Sequence, residues 1–155
     1  LLGVFLTYHL LMPLRPLLYP GPVAWTEEGH RFSWRMKLRD KAAHAQFTVL
    51  DPVSGNTWRV NPRTWLTDRQ AGKMPSRPDM ILQFAHYLDR VWREKRRVPD
   101  AVVTAQVLCS LNYRKPALLV DPQRDLSRVA RTLDHADWIR PLDPALEPGY
   151  SVPPD

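Results

Sequence analysis

The sequence is poor in cysteine and glycine, and both shortages exclude several kinds of site. Cys109 is the only cysteine among 155 residues, so neither an intramolecular disulfide nor a cysteine-based zinc site can form within the chain. Six glycines are scattered along the sequence and form neither a phosphate-binding loop nor a dinucleotide fingerprint. Nucleotide-dependent chemistry of those two kinds is therefore not expected here.

The sequence also lacks an apolar run that is long enough to cross a bilayer, which takes about 20 residues. Its most apolar stretch, residues 1–18, carries no formal charge before Pro13. One interpretation is a helix buried in a soluble domain. The other is the end of a transmembrane helix whose start lies upstream. The missing initiator methionine and the proline-rich exit around Tyr19 favour the second.

Proline, by contrast, is abundant, and the charge is unbalanced. Sixteen prolines favour loops and short elements over a long helical bundle. A net charge of +6 points to an anionic partner. The basic residues are scattered and no zinc-finger, helix-turn-helix or RNP motif accompanies them, so we expect no nucleic acid. A membrane surface or an acidic peptide fits better.

Residues 32–39 alternate strictly between apolar and polar side chains, which predicts a strand. One face would be aromatic and the other cationic. The cationic face could hold a carboxylate through charge-assisted hydrogen bonds, or it could simply be solvated. A turn at residues 40–43 and further strands at residues 44–49 and 57–60 complete a predicted three-strand antiparallel meander.

The second half of the chain predicts one long helix and one long strand. After a loop over residues 61–75, apolar side chains from Met80 to Trp92 recur at helical spacing, with Ser76 as the expected N-cap. Residues 102–112 form the longest strand pattern, followed by a short strand at 117–120. Asp125 is expected to cap a helical turn, residues 138–142 to add an edge segment, and the tail from residue 143 to be poorly ordered.

Together these patterns predict an α+β fold. We expect a mostly antiparallel β-sheet, made of the three-strand meander and the long strand, covered by one amphipathic helix. The end of a transmembrane helix would precede it. The expected divisions are residues 1–20 for that helix and its interfacial exit, 21–142 for the extramembrane domain, and 143–155 for a proline-rich tail.

Two polar groupings invite a chemical interpretation. Glu27, Glu28 and His30 could form an acid–base pair or a metal site, but their spacing matches no known metal motif. Ion pairs with Arg31 and Arg35 are the favoured interpretation. A second grouping, of Asn112, Arg114 and Asp121, could be either a polar cluster beside the first strand or a hydrogen-bonded turn. We favour the turn.

The stretch from Trp25 to Lys41 also resembles a known family. It is similar to the segment that follows the membrane helices in bacterial relatives of vitamin K-dependent gamma-glutamyl carboxylase, also called the HTTM (horizontally transferred transmembrane) family. The animal enzymes share a core of Ser-Trp followed closely by Met, matched here by Ser33, Trp34 and Met36. Further matches follow in order: Asn61-Pro62, Asp79-Met80, Gln83, Ala85, Ser110, Asn112, Arg114, Asp121-Pro122, Asp125, Trp138 and Pro141-Leu142.

The resemblance implies a membrane-bound lyase that uses vitamin K hydroquinone, carbon dioxide and oxygen. Oxygenation of the hydroquinone to the epoxide yields a base that removes a γ-proton from a peptide glutamate, and carbon dioxide adds to form gamma-carboxyglutamate. The lysine that deprotonates the hydroquinone lies in the membrane part upstream, so we expect no catalytic residue and no bound cofactor in this fragment, which alone would be inactive.

For this chain, the resemblance implies a contribution to substrate binding. In the animal enzymes the Ser-Trp-x-Met segment is linked to glutamate binding, although they have aspartate where Arg35 stands. A carboxylate-binding role for the cationic face is therefore inferred from charge alone. The predicted substrate-binding residues are His30, Arg31, Ser33, Trp34, Arg35, Met36 and Arg39.

The expected partners are the membrane, the upstream transmembrane part of the same protein and a glutamate-containing peptide. The resemblance favours a multi-pass protein of the bacterial inner membrane with this domain outside the cytoplasm. The positive-inside rule points the other way, because basic residues cluster just past the apolar segment. The alternative function is a non-catalytic interaction module that binds a membrane partner or an acidic peptide.

Overall fold

The computed structural model describes residues 1–30, 33 and 39–146. Their helices are α1 (Leu2–Leu11), α2 (Val23–Thr26), α3 (Asp68–Lys73) and α4 (Pro78–Arg96), and their strands are β1 (Lys41–Leu50), β2 (Thr57–Val60), β3 (Val102–Leu111) and β4 (Ala117–Leu118). Short 3₁₀ segments occupy Met12–Leu18, Pro62–Thr64, Met74–Ser76 and Leu126–Arg128.

The strands form one antiparallel sheet in the order β2-β1-β3-β4, which confirms the predicted fold class. β1 and β3 pair along their whole length, with Lys41 opposite Leu111 and Leu50 opposite Val102. β2 pairs only with the last four residues of β1, across a turn that Asp51 closes. The predicted first strand of the meander falls on residues 32–39, most of which lie outside the described residues.

Helix α4 covers one face of this sheet, as its spacing predicts. Buried apolar side chains recur from Ile81 to Trp92, and Phe84 meets Phe47 of β1 edge to face at a ring-centroid distance of 4.9 Å. Trp92 packs against Trp58 of β2 in a similar geometry. These contacts place the core between α4 and the sheet. The opposite sheet face carries mostly uncharged side chains, among them His44, Thr104, Gln106 and Leu108. Antiparallel sheets commonly leave one face open to solvent in this way.

Two predicted boundaries are wrong, each for a local reason. The turn expected at residues 40–43 is wrong from Lys41 onward, because β3 supplies pairing partners for β1 along its full length. The N-cap of α4 is Arg77 rather than Ser76, with φ −127° and ψ 104°. Proline favours an extended residue before it and suits the first helical position, so Pro78 sets the start of α4.

The loop expected over residues 61–75 contains helical turns. Thr67 caps α3 through a capping box, in which its hydroxyl accepts from the Gln70 backbone N–H and the Gln70 side chain accepts from the Thr67 backbone N–H. The sequence Thr-x-x-Gln carried this signal, and the pattern analysis missed it.

The segment after β3 turns back on the sheet largely as predicted. Asp125 accepts from the Ser127 backbone N–H and caps the Leu126–Arg128 turn. Its Oδ1 also accepts from the Val103 backbone N–H at 3.1 Å, which ties this turn to β3. The expected edge segment appears as an isolated antiparallel bridge between Val120 and Ile139.

Helix α1 stands apart from the core. None of its residues is buried, and its apolar side chains are exposed on every side. The alternative of a helix buried in this domain is therefore wrong. Among residues 1–30, 33 and 39–146, no helix combines the length and hydropathy that a membrane crossing requires.

Truncating Leu88 tests the position of the core. Leu88 is fully buried at the middle of α4, so we expect Leu88→Ala to lower the free energy of unfolding by about 2–5 kcal/mol. Leu108 lies on the open sheet face and is 43% exposed, so Leu108→Ala is the matched control, with an expected loss under about 1 kcal/mol. Urea denaturation measures both. Equal losses would contradict the one-sided core.

Candidate functional site

A cavity of about 710 Å³ lies where three segments that are distant in sequence meet. Its walls come from residues 26–30 at the end of α2, from residues 77–79 and Leu82 at the start of α4, and from the loop at residues 128–139. Arg15 and Tyr19 add a fourth wall from the 3₁₀ segment that follows α1. The cavity is thus framed by the N-terminal part and the C-terminal loop rather than by the sheet.

The turn after α2 has a backbone that brings it close to the 3₁₀ segment. Glu27 and Gly29 both have positive φ, at 61° and 65°. A Cβ atom at Gly29 would meet the Tyr19 ring at 2.8 Å and the Pro16 Cα at 3.1 Å. Glycine is therefore required at this position for both its conformation and its size.

Behind this turn, a buried ion cluster joins α2 to β1. Oε1 of Glu27 accepts from Nη2 of Arg39 at 2.7 Å and lies 3.5 Å from Nζ of Lys41. Lys41 also donates to the Trp25 carbonyl at 2.8 Å, and its side chain is only 4% exposed. Burial lowers the pKa of Lys41, and the Glu27 charge partly offsets that effect. Glu27 is ion-paired as predicted, but its partners are Arg39 and Lys41. The predicted partners, Arg31 and Arg35, lie outside the described residues.

His30 contacts this cluster and is also one of the residues that line the cavity, as Glu27 is. Its Nδ1 is 3.3 Å from Nη1 of Arg39, and its carbonyl accepts from the Ser33 hydroxyl at 2.7 Å. Burial lowers the pKa of His30 below its ordinary value, and the charges of Arg39, Arg77 and Lys41 act in the same direction against that of Glu27.

Glu28 connects the turn to the opposite wall. Its Oε1 accepts from the Ala136 backbone N–H at 2.7 Å and lies 2.9 Å from Nδ1 of His135. The side chain is 7% exposed, and no hydrogen bond reaches its Oε2 from the chain as far as the structure describes it. Trp25 makes a parallel link through its indole N–H, which donates to the Arg140 carbonyl at 2.7 Å. These contacts hold the C-terminal loop in place.

The lining is rich in charge of both signs. Five arginines line it: Arg15, Arg77, Arg124, Arg128 and Arg131. Two of its carboxylates already have cationic partners, namely Glu27 and, through Arg124 at 3.3 Å, Asp137, and Glu28 is engaged by His135 and the Ala136 N–H. Because Arg124 and Arg128 are paired with Asp137 and Asp125, the capacity of the cavity for anions and peptide carbonyls rests on the other three arginines. Within the described residues, no group of three metal-ligating side chains forms.

Only some of the predicted site residues can be located. His30 lines the cavity, whereas Ser33 and Arg39 contact His30 and do not belong to the described lining. Their grouping around one histidine brings three predicted residues together. The other four, Arg31, Trp34, Arg35 and Met36, lie outside the described residues.

The sequence analysis missed most of the cavity wall. Arg77, Arg128 and His135 belong to segments far from the Trp25–Lys41 stretch, and no local pattern marks them. The grouping of Asn112 with Asp121 is not a single cluster. The side-chain Oδ1 of Asn112 accepts from the Asp40 backbone N–H, and the backbone N–H of Asn112 donates to the Asp40 carbonyl. Asn112 thus belongs to the hydrogen-bonded turn after β3, the interpretation that we favoured. Asp121 instead donates its backbone N–H to the Trp138 carbonyl.

Comparison with known proteins identifies the family. The family model described as the vitamin K-dependent gamma-carboxylase, lumenal domain, matches residues 1–145. The chain belongs to this family. Neither the search of curated proteins nor the search of solved structures found a match. The resemblance seen in the sequence is thus confirmed at the level of the carboxylase family.

The lowered pKa of His30 predicts a loss of stability in acid. Below its ordinary pKa of 6.5, the unfolded chain binds a proton that the folded chain resists, so stability falls as the pH drops from about 6.5 towards the folded pKa. We expect His30→Asn to remove this part of the loss. Urea denaturation at about pH 7.5 and about pH 5.5 measures it.

The control for this experiment is His44→Asn, since His44 is exposed on the open sheet face. The His44→Asn protein should still lose the part of its folding stability that His30 accounts for when the pH is lowered. A loss between the two pH values that is the same in wild type and His30→Asn would contradict the assignment.

Proposed function

We propose that this chain is the extramembrane part of a vitamin K-dependent carboxylase-like membrane enzyme, and that its cavity receives a glutamate-containing peptide. Family membership supports the reaction class. The observation that supports the site is the cavity itself, whose lining includes His30, Arg77 and four further arginines. Binding and orienting the acceptor glutamate is the role we assign to this chain.

Carboxylate recognition follows from the balance of charges around His30. Among the described residues, Arg39, Lys41 and Arg77 all act on the pKa of this ring in one direction, and Glu27 opposes them. Glu27 is already engaged by Arg39 and Lys41, whereas Arg77 is exposed at the cavity wall. A guanidinium presents two parallel N–H groups to a carboxylate, so Arg77 is the residue we expect to hold the glutamate side chain.

The predicted residues outside the described part of the chain keep their proposed role. Arg31, Trp34, Arg35 and Met36 follow His30 in the stretch that resembles the glutamate-binding segment of the animal enzymes. Ser33 and Arg39, from the same stretch, both contact His30. These contacts extend the proposed peptide site along the chain from the cavity.

We place the cavity beside the membrane. Helix α1 is apolar on all sides, which suits the end of a membrane helix better than a surface helix. The 3₁₀ segment that follows it delivers Arg15 and Tyr19 to the cavity wall, and these residue types favour the interface of a bilayer. The proposed divisions are a membrane-helix end at 1–20, the domain at 21–142 and a tail at 143–155. The lumenal name of the family supports an extracytoplasmic location.

In this proposal, the vitamin K hydroquinone binds outside this cavity. A naphthoquinol with an isoprenoid tail requires a largely apolar pocket, and the charged lining described here does not fit it. When bound in the full-length enzyme, the cofactor would supply, with oxygen, the base that removes the γ-proton. Within this chain we therefore assign peptide binding, and no catalytic residue.

A carboxylation assay of the full-length protein in lipid tests the proposal. Vitamin K hydroquinone, labelled bicarbonate and a glutamate peptide are supplied, and both epoxide and label fixed in the peptide are followed. We expect fixed label, and a KM for the peptide that Arg77→Gln raises about tenfold, as for a lost charge-assisted hydrogen bond.

Arg59→Gln is the matched control, because Arg59 is an exposed arginine on the open sheet face, opposite Thr48. It should change the KM less than about twofold. Formation of the epoxide without label fixed in the peptide would mean that peptide glutamate is not the acceptor. Neither product from a folded protein would contradict the carboxylase function as a whole.

A further inference from the structure

Three side chains form a chain of contacts from the interior to the cavity. Oε1 of Glu27 accepts from one terminal nitrogen of Arg39 at 2.7 Å, and the other terminal nitrogen lies 3.3 Å from Nδ1 of His30. A guanidinium has only donors. Nδ1 must therefore present its lone pair to Arg39, and the proton of the neutral ring lies on Nε2.

We propose that Arg39 is a positioning residue that fixes His30 as its Nε2–H tautomer, so that the ring offers a ligand in the cavity a neutral hydrogen-bond donor. The ligand atom it would meet is a carboxylate or carbonyl oxygen. The identification of that ligand as a glutamate peptide rests on the proposed function. The tautomer itself rests on the two contacts of Arg39, with Glu27 and with His30.

The surroundings keep the ring neutral as well as oriented. Glu27 faces it from the residue after α2, and Arg39 from two residues before β1. Lys41 faces it from the first residue of β1, and Arg77 from the residue before α4. Protonation of Nδ1 would break the bond from Arg39 and set two cations against each other. The pKa of His30 is lowered accordingly, first by burial and then by Arg39.

This arrangement separates the roles of two residues that the sequence grouped together. His30 lines the cavity, but Arg39 is not part of the described lining, and its side chain is only 17% exposed. In the proposal, the imidazole separates the guanidinium from a ligand in the cavity. Arg39 acts on the ligand through His30 rather than by direct contact.

Nitrogen NMR of the full-length protein labelled with ¹⁵N-histidine tests the tautomer directly. The signals of His30 are identified by their loss in His30→Asn. At about pH 7.5 we expect an unprotonated shift for Nδ1 and a protonated shift for Nε2. A protonated Nδ1, or two averaged shifts, in the wild type would overturn the proposal.

Arg39→Lys is the sharpest variant. Lysine keeps the positive charge beside Glu27, but its single nitrogen cannot donate to Glu27 and His30 in the fork geometry of arginine. We expect the two ring shifts to average as the tautomers mix, and Arg39→Met to give the same result if the lysine variant folds poorly. Arg59→Lys should leave them unchanged. Unchanged shifts in both Arg39 variants would overturn the proposal.

A double-mutant cycle on glutamate-peptide affinity separates indirect from direct action. Arg39→Lys should weaken binding in the wild type, by up to about tenfold, and have little effect in the His30→Asn background. An equal loss in both backgrounds would mean that Arg39 contacts the peptide itself and would overturn the positioning role. If the wild type binds no glutamate peptide, the proposed function fails, while the NMR result still decides the tautomer.

Discussion

The buried carboxylate of Glu27 is the interaction on which the arrangement of the site depends. It joins the end of α2 to the start of β1 through Arg39 and Lys41, and all three side chains are at most 17% exposed. Charges withdrawn from water in this way are tolerated only when they are paired and hydrogen-bonded. Lys41 meets this condition with two oxygens, those of Glu27 and the Trp25 carbonyl. This pairing therefore fixes the position of His30 and of the cavity wall formed by residues 26–30.

The cavity walls are assembled by polar contacts between the ends of the chain. Glu28 reaches the Ala136 N–H, and Trp25 reaches the Arg140 carbonyl. Tyr19 adds a third contact by donating its hydroxyl to the Leu133 carbonyl. Each contact comes from the segment just after the apolar helix. The cavity therefore exists only where the exit of that helix and the C-terminal loop are held together, which links the proposed membrane attachment to the proposed peptide site.

The regular elements could be predicted from the sequence because their signals are local. Alternation marked β3, and the spacing of apolar residues from Met80 to Trp92 marked α4. The extension of β1 to Lys41 could not be predicted in this way, because it depends on pairing with Leu111. Short helices between β2 and α4 escaped notice although the Thr67 capping box was present in the sequence.

The site was predictable only in part, for a related reason. His30 and the pairing of Glu27 followed from a short, charge-rich stretch and from the family resemblance. Arg77 and His135 come to the cavity through tertiary folding, and their surroundings in the sequence resemble any exposed charged segment. From the sequence alone, a solvated arginine cannot be distinguished from an arginine that binds a carboxylate. The distinction requires the residues on the other side of the cavity.

The central claim is that this cavity binds the acceptor peptide. Its most direct test is photo-crosslinking of the full-length protein in lipid with a glutamate peptide that carries a photoreactive side chain next to the glutamate, followed by mass spectrometry. The account predicts adducts on residues 77–82 or 128–139 that excess unlabelled peptide suppresses. Suppressible adducts confined to the open sheet face, around Thr104 and Gln106, would contradict it.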